Sequence, residues 1–262
     1  MNFDFLLENP ITSISLGFIL GSIVGSFFNV CILRLPKDQD IFLKQSACPN
    51  CNNKLKWFHN IPLISFIFLL GKCSFCKKRV SFQYPVVEIL TAIVFVFSYL
   101  KFDLSLDALF FSLFVSSLII IFFTDLNEYL ILDIFTLPLS VIGFVLSAIK
   151  YNPFNVLIAD SFAGLIIGFS VFYLIRWFFY KYKKIEGMGL GDAKLMMMIG
   201  AWLGLKSILF VMFFSSVTAL IVAIPLTIIK KDKRYPIPYG CFITLAAFLY
   251  ILIGDTFYKF LL

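Results

Sequence analysis

Charge is what this chain has least of. Only 14% of its 262 residues are Asp, Glu, Lys or Arg, 61% are hydrophobic, and the mean hydropathy is +0.97. A soluble domain is about a quarter charged and at most about half apolar. That balance, with 34 phenylalanines to bury, excludes an ordinary soluble core. Histidine is scarcer still, with His59 alone. No H-E-x-x-H exists, so a site-2-type zinc protease is excluded. No strand pattern leads into a G-x-G-x-x-G, and the glycines before Asp192 do not have that spacing, so a phosphate cradle finds little support. Internal repeats, paired broken segments and low-complexity tracts are also missing, and the first two are what a transporter would favour. The opening MNFDFLLENP has neither a basic region nor a small-residue cleavage site, and does not read as a removable signal peptide.

What is present is a series of apolar runs. Crossing about 30 Å of hydrocarbon takes roughly 20 helical residues. Eight segments approach that length: 11–33, 86–100, 104–124, 130–149, 156–179, 192–204, 207–229 and 237–257. The second and sixth are short. The pattern predicts an all-α polytopic membrane protein with about eight transmembrane helices, its apolar faces against membrane lipid. Basic residues orient it. Nine fall between the first two segments, four end the fifth, and four separate the last two; the opposite connections and the C-terminal end hold Lys101, Lys150, Lys206 and Lys259. The positive-inside rule puts the three basic loops in the cytoplasm and both termini outside. The net charge of +7 is therefore topological. Divided over three loops, it gives no reason to expect nucleic acid.

Residues 34–85 form the one long polar stretch, and they carry Cys48–Cys51 and Cys73–Cys76 as two C-x-x-C pairs separated by 21 residues. Each pair offers two thiolates from one turn, and two such turns can close a tetrahedral shell around Zn2+. Two disulfides, which a reducing cytoplasm disfavours, and four unligated thiols are the alternatives. A closed four-thiolate site has no position left for water, so such a metal is structural. His59 stands nearby as a further candidate ligand, and Cys31 and Cys241 are expected to pack as small hydrophobes.

Two carboxylates stand at the ends of apolar segments: Asp125 in IIIFFTDLNEYLILD and Asp192 in EGMGLGDAKLMMM. A carboxylate at the edge of hydrocarbon is costly unless something uses it or pairs it. The charge-derived topology sets both at the same cytoplasmic depth, where they could share a proton and activate one water. The plainer alternative makes Asp192 a helix cap and leaves Asp125 in water past its helix end. Glu88, Asp133 and Asp160 also lie near segment ends. Gly189 and Gly191 suit a close approach of backbone or substrate.

These residues resemble a family. GSFFNVCILRLP (25–36), CPNC, NIPLISF (60–66), GKCSFC (71–76), YPVVEILTA (84–92), TDLNEYLILD (124–133), EGMGLGDAKL (186–195) and IPYG (237–240) resemble, in order, the motifs of bacterial prepilin peptidases, GxGD intramembrane aspartic proteases. The resemblance implies that Asp125 and Asp192 are the catalytic pair, with Gly189 and Gly191 as the motif glycines. It further implies a peptidase core over 86–262, a first transmembrane helix over 1–33 and a zinc-binding loop over 34–85. The expected substrates are type IV prepilins or pseudopilins, cut at the cytoplasmic face of the inner membrane. S-adenosylmethionine is implied as the donor for N-methylation of the new terminus, and no residue here is assigned to substrate binding. Three positions depart from the family pattern. Leu132 and Cys241 stand where proline is frequent, and Glu128 stands in a segment that often holds histidine.

Overall fold

The computed structural model describes residues 10–41, 45–184, 189–230 and 236–261. Lys44, Lys231, Lys233, Arg234 and residues 186–188 of the glycine motif lie outside them. The described residues divide into two compact units, 1–120 and 121–262. Helices dominate, and the only β pairing among them is two isolated bridges in the cysteine loop.

In the first unit α1 (Pro10–Arg34) packs on α3 (Gln83–Phe102). Helices in lipid gain little from burying apolar area against each other, so close backbone contact between small residues has to bind them. Gly21 and Gly25, one turn apart on α1, supply it. A Cβ on Gly21 would stand 2.6 Å from the Ala92 Cα, and one on Gly25 2.8 Å from the Glu88 Cα. Asn29 continues the stripe and donates to the Tyr84 carbonyl at 3.1 Å. Between these helices the loop forms two short 3-10 turns and the five-residue α2 (Ile64–Phe68). Buried Glu88 ties that loop down, accepting the Leu63 N–H at 2.8 Å. This accounts for Glu88 as an anchor.

The unit boundary falls within α4 (Leu106–Glu128). The second unit continues through α5 (Asp133–Ala148), α6 (Ile158–Lys183), α7 (Leu190–Lys230) and α8 (Tyr239–Leu261). At 41 residues a straight α7 would measure about 60 Å, twice the hydrocarbon thickness. It breaks at Gly204, whose φ of 78° and ψ of 179° are open to glycine and strained for other residues. A break strips the preceding carbonyls of their i+4 partners. Side chains replace them: Ser161 Oγ donates to the Ala201 carbonyl at 2.7 Å, and Asn152 Nδ2 to that of Trp202 at 3.1 Å. The fully buried Trp202 indole in turn donates to the Leu139 carbonyl at 2.7 Å. Across α6 and α7, Gly164 and Gly200 lie backbone to backbone; a Cβ on Gly164 would be 2.5 Å from the Gly200 carbonyl oxygen.

Among the described residues five helices, α1, α3, α4, α6 and α7, are long and apolar enough to cross a membrane, and α5 and α8 are shorter apolar helices. The all-α polytopic expectation holds. Its sixth and seventh segments are the two arms of α7, which explains a thirteen-residue segment too short to span alone. The fourth segment begins at Asp133 and not Leu130, because Leu132 is extended and serves as the N-cap.

Candidate active site and metal centre

Asp125 does not stand in water past its helix. The helix runs on to Glu128, leaving Asp125 in the last turn, 5% exposed. A carboxylate is poorly placed there, since the carbonyl end of a helix carries partial negative charge. The compensation comes from the opposite end of another helix. Oδ2 of Asp125 accepts the Cys241 N–H at 3.0 Å, in the first turn of α8, where amides have no partner within the helix. Gly240 lets α8 come this close: a Cβ there would lie 2.9 Å from that same Oδ2.

Asp192, 7% exposed, lies in the first turn of α7, where the dipole favours an anion. Its Oδ2 accepts the N–H of the exposed Gly189 at 3.2 Å, a reach back over the helix start. The capping role is therefore real, and it coexists with proximity to Asp125, whose charge acts on Asp192. Two helix N-termini thus deliver their free amides to two carboxylates facing one region.

The competing acids separate cleanly. Asp133 is 53% exposed and pairs with Lys194 at 2.6 Å, and Asp160 is exposed. Among the described residues of this unit, Asp125 and Asp192 are the buried carboxylates. The space beside Gly191 is already filled, since a Cβ there would lie 2.9 Å from the Ile131 Cβ. The close neighbour of that glycine is the chain's own Ile131.

The cysteine loop folds as one motif used twice. Asn52 donates to the Cys48 carbonyl and Cys48 to that of Asn53; Lys77 donates to the Cys73 carbonyl and Cys73 to that of Lys78. Each turn closes through a left-handed residue, Asn52 (φ 54°) or Lys77 (φ 59°). The four Sγ atoms lie within 4.8 Å of one another, with Cys48 and Cys76 at 3.9 Å. A disulfide needs about 2.05 Å, whereas a tetrahedron with metal–sulfur bonds of about 2.3 Å has edges of about 3.8 Å. All six cysteines are free. The Cys73 thiol is lowered to about 6 by the backbone amides of Cys76 and Phe75, which favours the thiolate at that position, while Cys51 in the same cluster is raised to about 11. His59 lies outside the cluster; its Nδ1 accepts the Lys56 N–H and its ring meets Phe58 and Phe75 edge-on.

Comparison with known proteins places this arrangement. Residues 19–102 match the bacterial peptidase A24 N-terminal domain and residues 112–224 the type IV leader peptidase family. A prepilin leader peptidase/N-methyltransferase of Xanthomonas campestris pv. campestris is 34% identical, the match covering 96% of this chain and 95% of that one. Proteins of the same name from Stutzerimonas stutzeri and Pseudomonas aeruginosa are 31% and 30% identical, each covering 96% of this chain and 94% of its own. No solved structure matches. The chain belongs to the type IV leader peptidase family.

Within that family the two departures beside the carboxylates acquire a location. Cys241, in a position where the family often has proline, supplies the N–H that Asp125 accepts, and its thiol donates to the Phe122 carbonyl at 3.1 Å. Cys241 is therefore more than a small hydrophobe, unlike buried Cys31. Leu132, next to Ile131, is the extended N-cap of α5. Nothing in the sequence marks the Cys241 N–H, Gly240 or Ile131 as part of the site. Their contributions are backbone donation and shape, and no side-chain chemistry marks them out in advance.

Proposed function

We propose that this protein is an intramembrane aspartic endopeptidase that removes the leader from type IV prepilins or pseudopilins and then N-methylates the new terminus. The observation that carries the reading is the pair Asp125 and Asp192, both buried, on different helices, each held through Oδ2 by an amide at a helix start. In the reaction the ionised carboxylate takes a proton from water as its oxygen attacks the scissile carbonyl carbon, and the protonated one donates to the carbonyl oxygen. The C–N bond then breaks and the amine leaves with a proton. Burial keeps these charges strong by excluding bulk water. Gly189, exposed beside Asp192, gives an extended substrate backbone a side-chain-free approach.

The basic loops orient the dyad to the cytoplasmic face of the inner membrane, with both termini outside. A basic leader followed by an apolar helix fits that interface. Residues 1–33 serve as the first span, 34–85 as a cytoplasmic domain and 86–262 as the peptidase core. Cys48, Cys51, Cys73 and Cys76 would hold Zn2+ in a closed, structural shell, since the spacing of their sulfurs suits four thiolates. S-adenosylmethionine supplies a methyl group to an amine when bound. Among the described residues no nucleotide-type glycine turn marks its site, so methyl transfer has no residue assigned to it. A proton- or cation-coupled transporter finds no internal repeat in the sequence to support it.

The test is to incubate purified protein with a prepilin and S-adenosylmethionine and sequence the product. A shortened chain with a methylated first residue is expected. An intact prepilin refutes the peptidase reading, and an unmethylated product refutes the second activity alone.

A further inference from the structure

The segment 129–132 joins the helix that carries Asp125 to α5, and it is fixed at both ends. At its start the Tyr129 N–H bonds the Asp125 carbonyl at 2.9 Å, and Tyr129 takes a left-handed φ of 54° to turn the chain. At its far end Asp133 meets Lys194 at 2.6 Å, two residues beyond Asp192 on α7. The segment is thereby strapped from one carboxylate-bearing helix to the other. Within it, half-buried Ile131 fills the space beside two glycines. The Ile131 Cβ occupies the side of Gly191, 2.9 Å from where a Cβ would stand, and its Cδ1 the side of Gly240, at 2.8 Å. Gly191 precedes Asp192, and Gly240 abuts the Asp125 carboxylate. The contacts form an unbroken chain from Asp192 through Gly191, Ile131 and Gly240 to Asp125.

From this juxtaposition we propose that Ile131 is a positioning residue for the peptidase reaction: an incompressible spacer that sets the separation of the two carboxylates. Packed side chains hold distances to fractions of an ångström because their neighbours cannot interpenetrate. Both glycines present bare backbone to the isoleucine, so its width sets how near the N-termini of α7 and α8 approach. Removing it leaves a gap into which those helix starts relax. A water shared by the dyad is then no longer held in line with the carbonyl it attacks. The Asp133–Lys194 bridge keeps the spacer seated. This inference rests on the peptidase reading of the dyad.

The experiment compares full-length wild type, Ile131→Ala, Ile131→Leu and Ile131→Val in detergent or nanodiscs, with kcat and KM for a prepilin and thermal unfolding measured on each. A displacement of about an ångström can cost about 100-fold in rate, so Ile131→Ala should lose 10- to 100-fold in kcat with KM little changed. Ile131→Leu, which keeps the volume, should restore most of it. Ile131→Val, which lacks only the methyl facing Gly240, keeps the core intact and should show a smaller loss in kcat if the alanine variant does not fold. Unchanged kcat in Ile131→Val and Ile131→Ala overturns the spacer role, as does a rise in KM alone, which would make Ile131 a substrate contact. A lower melting temperature with normal kcat per folded molecule also overturns it. Wild-type protein that leaves prepilin uncut is a different failure, since it removes the peptidase reading itself.

Discussion

The backbone N–H of Cys241 lies 3.0 Å from Oδ2 of Asp125, joining residues 116 positions apart in the chain. The donor is an amide, so its side chain is replaceable, while the glycine that admits it is not.

Cys241→Ala keeps the amide and deletes the thiol, which donates to the Phe122 carbonyl and also interacts with the Asp125 carboxylate. One neutral hydrogen bond is worth roughly 1 kcal/mol, so prepilin cleavage should stay within about tenfold of wild type. Gly240→Ala places a Cβ at 2.8 Å from Ile131 and 2.9 Å from Asp125 Oδ2. It should displace the carboxylate and lower cleavage by about 100-fold or more. Paired cleavage rates check both; equal activity in the two variants contradicts the geometry.

Gly200→Ala should destabilise the second unit, because its Cβ would run into the Gly164 backbone. Overpacking of this kind costs about 1–3 kcal/mol. The measurement is thermal unfolding in detergent, with Gly17→Ala as the control, since its nearest neighbour would be 3.8 Å away. A melting temperature equal to wild type for Gly200→Ala would show that α6 and α7 do not approach as described.

Metal analysis of protein prepared under reducing conditions without chelator should find about one zinc per chain, with sulfur neighbours near 2.3 Å by X-ray absorption. Cys48→Ser or Cys73→Ser should lose most of it, breaking a shell whose sulfurs lie within 4.8 Å of one another. Methylation should suffer more than cleavage if the loop serves the transferase step. Zinc-free protein with all four thiols reduced contradicts the assignment.

Much of this was legible in the sequence because it depends on local chemistry. Each C-x-x-C pair holds two thiols on one turn, so the spacing of two pairs announces a four-thiolate site, and the apolar runs announce the helices. Asp125 and Asp192 stand out for their cost in an apolar setting, but Glu88, Asp133 and Asp160 raise the same suspicion. Only tertiary contact separates them: Glu88 is occupied by the Leu63 amide, and Asp133 by Lys194. The Gly204 break was hidden because an apolar run looks the same whether it ends in a loop or in a bend. Ile131 and the Cys241 amide gave no signal, since shape and backbone donation belong to almost every residue. Leu132 and Cys241 register as departures from a family pattern, but only the fold shows that they flank the carboxylates.

The central claim is that Asp125 and Asp192 act as one unit on a single water. The direct test measures prepilin cleavage by wild type, Asp125→Asn, Asp192→Asn and the double variant, each shown by thermal unfolding to be folded. Each single change should cost at least about 1,000-fold, and the double variant should be no worse than either single, as for groups that fail together. Asp160→Asn, at an exposed carboxylate outside the dyad, should remain within about tenfold. Substantial cleavage by Asp125→Asn or Asp192→Asn, with the protein folded, would contradict the dyad and the function built on it.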